Sequence, residues 1–155
     1  MEKEHLSVAA MWNAYLRTLE DERAKGEMTY SSWSFGDSPD ELVELVIRGM
    51  KTATSSLHLV YSFYDRALPQ SGDHSVITDE SGIARCIIRT DRVSMVPYRE
   101  VTAEFASWEG EGSLEHWRNV HWAFFSGEMA RMGEEPSEDM MVVCEEFSLV
   151  YPALT

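Results

Sequence analysis

The chain has 155 residues, a length that suits one domain of about 100–200 residues, and its 13 Lys+Arg against 27 Asp+Glu leave a formal net charge of −14. Such a charge excludes sequence-independent binding to duplex DNA or to an anionic membrane, since both need many cations on the protein. With 44% apolar residues the chain can bury a core and is not disordered, and two cysteines exclude a disulfide framework. No Cys/His pair has zinc-ligand spacing, so no metal and no cofactor is expected. The first residues, MEKEHLSVAAMWNAYL, lack the basic and apolar regions of a signal peptide, and no apolar run approaches the roughly 18–20 residues of a membrane span. A cytoplasmic chain is expected.

Residues 5–24 read as one helix, with Val8, Trp12, Tyr15 and Leu19 at helical spacing and Gly26 after its end. The segment TYSSWSFG reads as a strand. Ser38-Pro39-Asp40-Glu41 opens a second helix as a capping box, with Leu42, Leu45, Val46 and Met50 on its apolar face and Gly49 at its end. TATSSL starts a strand, followed by an aromatic stretch at Tyr61, Phe63 and Tyr64. HSVIT and IARCIIRT make a hairpin across Asp79-Glu80-Ser81-Gly82, its second strand running to Met95 and stopping at Pro97. Residues 98–108 form a short helix, broken by Gly110 and Gly112. Residues 113–132 form an amphipathic helix with Leu114, Trp117, His121, Phe125 and Met132 on one stripe. MMVVCEEFSLVY closes the chain as a strand, and Cys86 and Cys144 sit in apolar strands where buried, reduced thiols are expected. Clustered strands without regular βαβ alternation give an α+β fold, a small mixed or antiparallel barrel flanked by helices.

Four stretches in this order resemble the ASCH superfamily of PUA-like β-barrels. They are Gly49-Met50-Lys51-Thr52-Ala53-Thr54, Leu68-Pro69 with Gly72-Asp73, Glu109-Gly110-Glu111-Gly112 before Leu114, Trp117, Arg118, His121 and Phe125, and the closing Cys144-Glu145-Glu146-Phe147-Ser148-Leu149-Val150. The resemblance spans roughly residues 30–151 of a single domain over 1–155, with the helix in residues 1–26 outside it. It implies a PUA-like barrel and either hydrolysis of the amide of an acylated cytidine, RNA cleavage, or non-catalytic binding of RNA or a nucleotide. It places Lys, Thr and Glu of the amidohydrolase members on Lys51, Thr54 and Glu109, with Glu111 the alternative acid. Thr54 would attack the carbonyl, Lys51 would take its proton and Glu109 would pass a proton to the leaving amine. The implied partner is a small nucleoside-like ligand or a short RNA; the oligomeric state stays open.

The residues themselves leave alternatives. In an extended segment Lys51 and Ser55 share one face and Thr52 and Thr54 the other, so Lys51 reaches Thr54 only at a bend. A lysine after a helix end is ordinarily solvated and offsets the dipole; on that reading Lys51→Ala costs at most ~0.5 kcal/mol. Glu109 and Glu111 are, by the same token, a solvated acidic loop. Arg118 and His121 either bind a phosphate or carbonyl or form a structural pair on their helix. Arg85 and Arg89, with Arg92 and Arg99 the only basic concentration, either line a groove for a phosphate backbone or pair with acids. Trp33, with Phe35, Tyr61 and Tyr64, either stacks a base or packs in the core. The residues expected to bind substrate are Trp33, Thr52, Ser55, Arg89, Glu111, Arg118 and His121.

Overall fold

A computed structural model describes residues 3–110 and 112–152. The first helical stretch is two helices, α1 (Leu6–Arg17) and α2 (Glu22–Glu27). The single helix expected over 5–24 breaks because Asp21 caps a new one: its carboxylate accepts from the Arg23 and Ala24 N–H groups. After β1 (Ser31–Trp33) comes α3 (Pro39–Ile47). The expected capping box at its start does not form. Ser38 is left-handed, with φ 49°, and its side chain makes no cap bond; a capping side chain needs an extended backbone beneath it. Next are β2 (Ala53–Leu57) and α4 (His58–Phe63), a helix where the sequence suggested only an aromatic stretch. The hairpin of β3 (His74–Thr78) and β4 (Ala84–Pro97) lies where the turn residues placed it. The 98–108 segment divides into a 3-10 turn at Tyr98–Glu100 and α5 (Ala103–Trp108), and α6 (Leu114–Arg131) and β5 (Met141–Tyr151) complete the chain.

The five strands form one sheet in the order β1-β3-β4-β5-β2, parallel between β1 and β3 and antiparallel elsewhere. Among the described residues edges β1 and β2 do not pair with each other, so the expected PUA-like barrel is a half-barrel. Alternation along the strands supplies both faces with apolar side chains. On one face Val8, Trp12 and Tyr15 of α1 cover Val76, Ala84 and Ile87. On the other, Val43 and Val46 of α3 cover Ile77, Cys86 and Ile88. The largest core joins α5 and α6 to β2 and β5 through Phe105, Trp117, Phe125, Leu57, Val142 and Cys144. Cys86 and Cys144 are free and buried, and burial pushes each thiol up to about 12. Among the described residues no helix is long and apolar enough to cross a membrane.

Two helix ends meet at the edge strand β2. α3 closes in a Schellman turn: the Met50 N–H donates to the Leu45 carbonyl at 2.8 Å and the Gly49 N–H to Val46 at 3.0 Å, with Gly49 at φ 78°. This turn sends Lys51 inward. α5 ends at Glu109, and Gly110 at φ 81° reverses the chain. The Thr52 N–H donates to the Trp108 carbonyl at 2.7 Å, tying the two ends together. A Cβ at Gly110 would stand 3.2 Å from Leu45 Cδ1 and 3.5 Å from the Met50 carbonyl oxygen, whereas one at Gly82, also at positive φ, would meet nothing within 4 Å.

Substitution separates backbone strain from this close approach. Gly82→Ala should cost the left-handed penalty alone, about 1–2 kcal/mol. Gly110→Ala should cost measurably more by chemical denaturation, because the added methyl pushes the α5 end off α3. Equal losses would show that the approach of the two ends is unimportant.

Candidate active site

The Schellman turn, strand β2, the α5 end and the first turns of α6 together surround one buried carboxylate. Glu109 is 2% exposed. It stands at the C-terminal end of α5, where the helix dipole disfavours negative charge. Lys51 Nζ offsets both, donating to the Glu109 backbone carbonyl and to Oε1, each at 3.3 Å. Oε2 accepts from the Ser55 hydroxyl at 2.7 Å and from the Trp117 indole N–H. His121 Nε2 lies 3.6 Å from the same oxygen. Burial alone would raise the Glu109 carboxyl; the neighbouring His121 ring, the Lys51 ammonium and the Trp117 donor outweigh it and hold it down at about 2.

His121 is oriented by its own helix. Its Nδ1 donates to the Trp117 carbonyl one turn back, at 2.9 Å. A carbonyl only accepts, so Nδ1 carries a proton; Nε2, the nitrogen turned to Glu109, donates to that carboxylate only when it carries a proton as well. The ring stacks on Trp117, with centroids 4.1 Å apart and planes 14° apart. The stripe read from the sequence is therefore the face that builds the site. On the opposite wall Phe35 places its ring 5.0 Å from Lys51 Nζ.

These groups line a cleft of about 60 Å³ whose polar wall is Lys51, Thr54, Ser55, Glu109 and His121, with the exposed Asp37 at its rim, and whose apolar wall includes Phe35 and Phe124. Thr54 is half-buried there, and no hydrogen bond among the described residues engages its hydroxyl. Ser55, on the Lys51 face as alternation requires, carries the hydroxyl bound to Glu109. The remaining candidates lie elsewhere. Thr52 is exposed and contributes its backbone, donating to Trp108 and accepting from the Phe147 N–H at 3.0 Å. Trp33 packs edge-on against Phe35, 5.2 Å between centroids, behind the cleft wall. Arg89 is an exposed partner of Asp91 at 2.9 Å, and Arg85 pairs with Glu44 at 2.8 Å. Arg118 is exposed, and its carbonyl accepts from the Tyr98 hydroxyl at 2.7 Å. Glu111 lies outside the described residues. The sequence places Trp117 in an apolar stripe and in the third family-like stretch and does not reveal its bond to Glu109; nothing in the local sequence distinguishes a tryptophan that donates from one that only packs. Among the described residues no group of three or more His, Cys, Asp or Glu is placed to hold a metal ion.

Burial decides between the alternatives for two residues. Lys51 is not a solvated helix-end lysine but 2% exposed, and Glu109 is not an acidic loop residue. The αL glycines after each helix end turn both side chains inward. The small stability cost expected of Lys51→Ala is withdrawn with the solvated reading.

Removing Lys51 strands a buried carboxylate. Lys51→Met should cost about 3–5 kcal/mol, the penalty for breaking a buried pair. Lys51→Met with Glu109→Gln should cost clearly less than the two single losses added, a coupling that denaturation of all four proteins measures. Additive losses would contradict the pair. The pH dependence has a definite sign. Glu109 is depressed from 4.5 to about 2, so its contribution is present above about pH 4.5 and is lost as pH falls toward 2; the shift corresponds to about 3 kcal/mol. Glu109→Gln should flatten that region of the stability curve.

Residues 31–151 match the family model of the ASCH domain. No curated protein matches the chain. Among solved structures, an ASCH domain from Lactobacillus crispatus JV V101 is similar at 32% identity and a TM-score of 0.88, over 97% of this chain and 98% of that one. A protein from Enterococcus faecalis V583 is similar at 30% identity and a TM-score of 0.81, over 94% of this chain and 90% of that one. A third, hypothetical protein at 18% identity and a TM-score of 0.54 shares the fold. With the family model covering most of its length, from β1 to the end of β5, the chain belongs to the ASCH domain family.

Proposed function

We propose that the protein is a hydrolase of the ASCH type that cleaves the amide bond of a modified nucleoside, an acylated cytidine. The observation that carries this reading is the meeting of Lys51, Thr54 and Glu109 on the walls of one cleft. These are the three positions to which the family resemblance assigns catalysis. The cleft, at about 60 Å³, has room for a few waters or a small acyl group but not for a whole nucleoside. The acyl carbonyl would enter and the base would remain at the mouth.

In this reading the Thr54 hydroxyl, which has no hydrogen-bond partner among the described residues, attacks the carbonyl carbon. Lys51 lies on the same wall with its described hydrogen bonds on Glu109, which suits it to hold positive charge beside the oxygen that becomes anionic. That arrangement favours an electrostatic role for Lys51 over the role of base. It leaves the Thr54 proton to another acceptor. Ser55, Trp117 and His121 fix the Glu109 carboxylate, and through it the lysine.

The charge distribution counts against a ribonuclease or an RNA-binding module. Arg85, Arg89, Arg92 and Arg99 each face a carboxylate, of Glu44, Asp91, Glu146 and Asp139 respectively. None of them lines the cleft. A phosphate backbone needs cations able to leave such partners.

Wild-type protein should release cytidine from N4-acetylcytidine. Thr54→Val should lower the rate at least ~10²-fold while leaving the melting temperature within a few degrees of wild type. Absence of turnover in the wild type, or full activity in Thr54→Val, would overturn the reading.

A further inference from the structure

The structure holds a second buried carboxyl beside Thr54. In the β2–β5 ladder Thr54 is directly opposite Glu145. Residues directly opposite in an antiparallel pair share a sheet face, with Cβ atoms about 4.5–5.5 Å apart. Glu145 is 8% exposed and its Oε1 accepts from the Thr90 hydroxyl at 3.3 Å. Of the two carboxylates that line the cleft, Asp37 is exposed at its rim and Glu109 has no such freedom. Its Oε2 already takes Ser55 and Trp117 and faces His121, and its Oε1 faces Lys51. A carboxylate so engaged is a poor acceptor for the proton of an attacking hydroxyl.

We infer that Glu145 is the general base of the reaction, taking the proton of Thr54 across the β2–β5 ladder. This role rests on the hydrolase reading above. The Thr54 oxygen forms a bond to the acyl carbon and its proton passes to the Glu145 carboxylate. The C–N bond then breaks, the electron pair stays on the cytidine nitrogen, and the Glu145 proton goes to that nitrogen. Water next adds to the acyl-Thr54 ester, giving its proton to Glu145. The C–O bond to Thr54 breaks, and the proton returns to the Thr54 oxygen. The products are a carboxylic acid and cytidine, with the enzyme restored.

The surroundings of Glu145 suit a base that works near neutrality. Burial pushes its carboxyl up; the Thr90 hydroxyl on β4 opposes that and the Asp73 carboxylate before β3 adds to it, leaving it at about 7. Across β2, Tyr61 of α4 bonds the Ser56 hydroxyl at 2.7 Å; burial raises that phenol, the Ser56 bond opposes this, and the Glu145 charge adds to the rise. A base is most effective when its proton affinity lies near the working pH.

Two measurements on the full chain test the inference. The first needs no substrate: the Glu145 side-chain carbonyl carbon is titrated by NMR in wild type and in Thr54→Val. The expected result is a midpoint near 7 that moves in Thr54→Val. A midpoint in the ordinary carboxyl range, or one indifferent to Thr54→Val, overturns the inference. The second is the pH profile of N4-acetylcytidine hydrolysis. The wild-type rate should rise with pH through about 7. Glu145→Gln should lose that rise and fall at least ~10²-fold, and Glu145→Asp should keep the rise with a moved midpoint. A structural role alone would lower the melting temperature without altering the shape of the profile. Turnover that is lost in Thr54→Val but keeps its rate and profile in Glu145→Gln removes Glu145 and leaves the hydrolase reading standing. Absence of wild-type turnover removes both.

Discussion

One buried carboxylate joins the elements of this structure that matter for chemistry. Glu109 comes from the end of α5, Lys51 from the turn after α3, Ser55 from β2, and Trp117 and His121 from α6. Taking a charge out of water costs several kcal/mol unless good geometry and further hydrogen bonds offset it. Here both oxygens are engaged, so the group stays ionised and each partner is held in place. The position of the edge strand β2, and with it Thr54, depends on that joint.

The two carboxyls that flank β2, Glu109 at the end of α5 and Glu145 on β5, are driven in opposite directions by different surroundings. Glu109 has a cation, an indole N–H and an imidazole beside it and is held down at about 2. Glu145 has burial, one hydroxyl and a neighbouring carboxylate, and is raised to about 7. Surroundings that drive a pair of carboxyls so far from each other divide their labour in the proposed reaction: one remains a fixed charge that organises the lysine, while the other can exchange a proton near neutral pH. The net charge of −14 is compatible with this, because Arg85, Arg89, Arg92 and Arg99 are held by surface acids and stay out of the cleft.

Much of the framework was legible in the sequence because it rests on local rules. The α6 stripe of Trp117, His121 and Phe125 is a helical period, and the β3–β4 hairpin follows from its turn residues. Local rules failed where two candidates compete or where tertiary partners decide. Asp21 offered a cap inside a continuous apolar pattern, and the chain took it. Ser38 had the right neighbours for a capping box but a left-handed backbone. The site was half legible. Lys51, Thr54, Ser55, Glu109 and His121 were named as candidates, yet the burial of Lys51 and Glu109 arises from the meeting of two helix ends some 58 positions apart. Glu145, quoted in the closing family-like stretch, was not a site candidate because its place opposite Thr54 is a matter of strand register, which no local pattern states.

The ionised, fully bonded state of Glu109 is most directly tested through its partner Trp117. The chain has five tryptophans, whose indole N–H protons are resolved by NMR, and substitution assigns the one from Trp117. An N–H donating to a buried carboxylate is a charge-assisted bond. Its proton should therefore resonate well downfield of the other four and, in His121→Phe, where no imidazole stacks on the indole, hold its position from pH 8 to about pH 4. A Trp117 proton within the range of the others, or one that shifts between pH 7 and 4 in His121→Phe, would contradict a carboxylate held at about 2 and with it the joint on which the site is built.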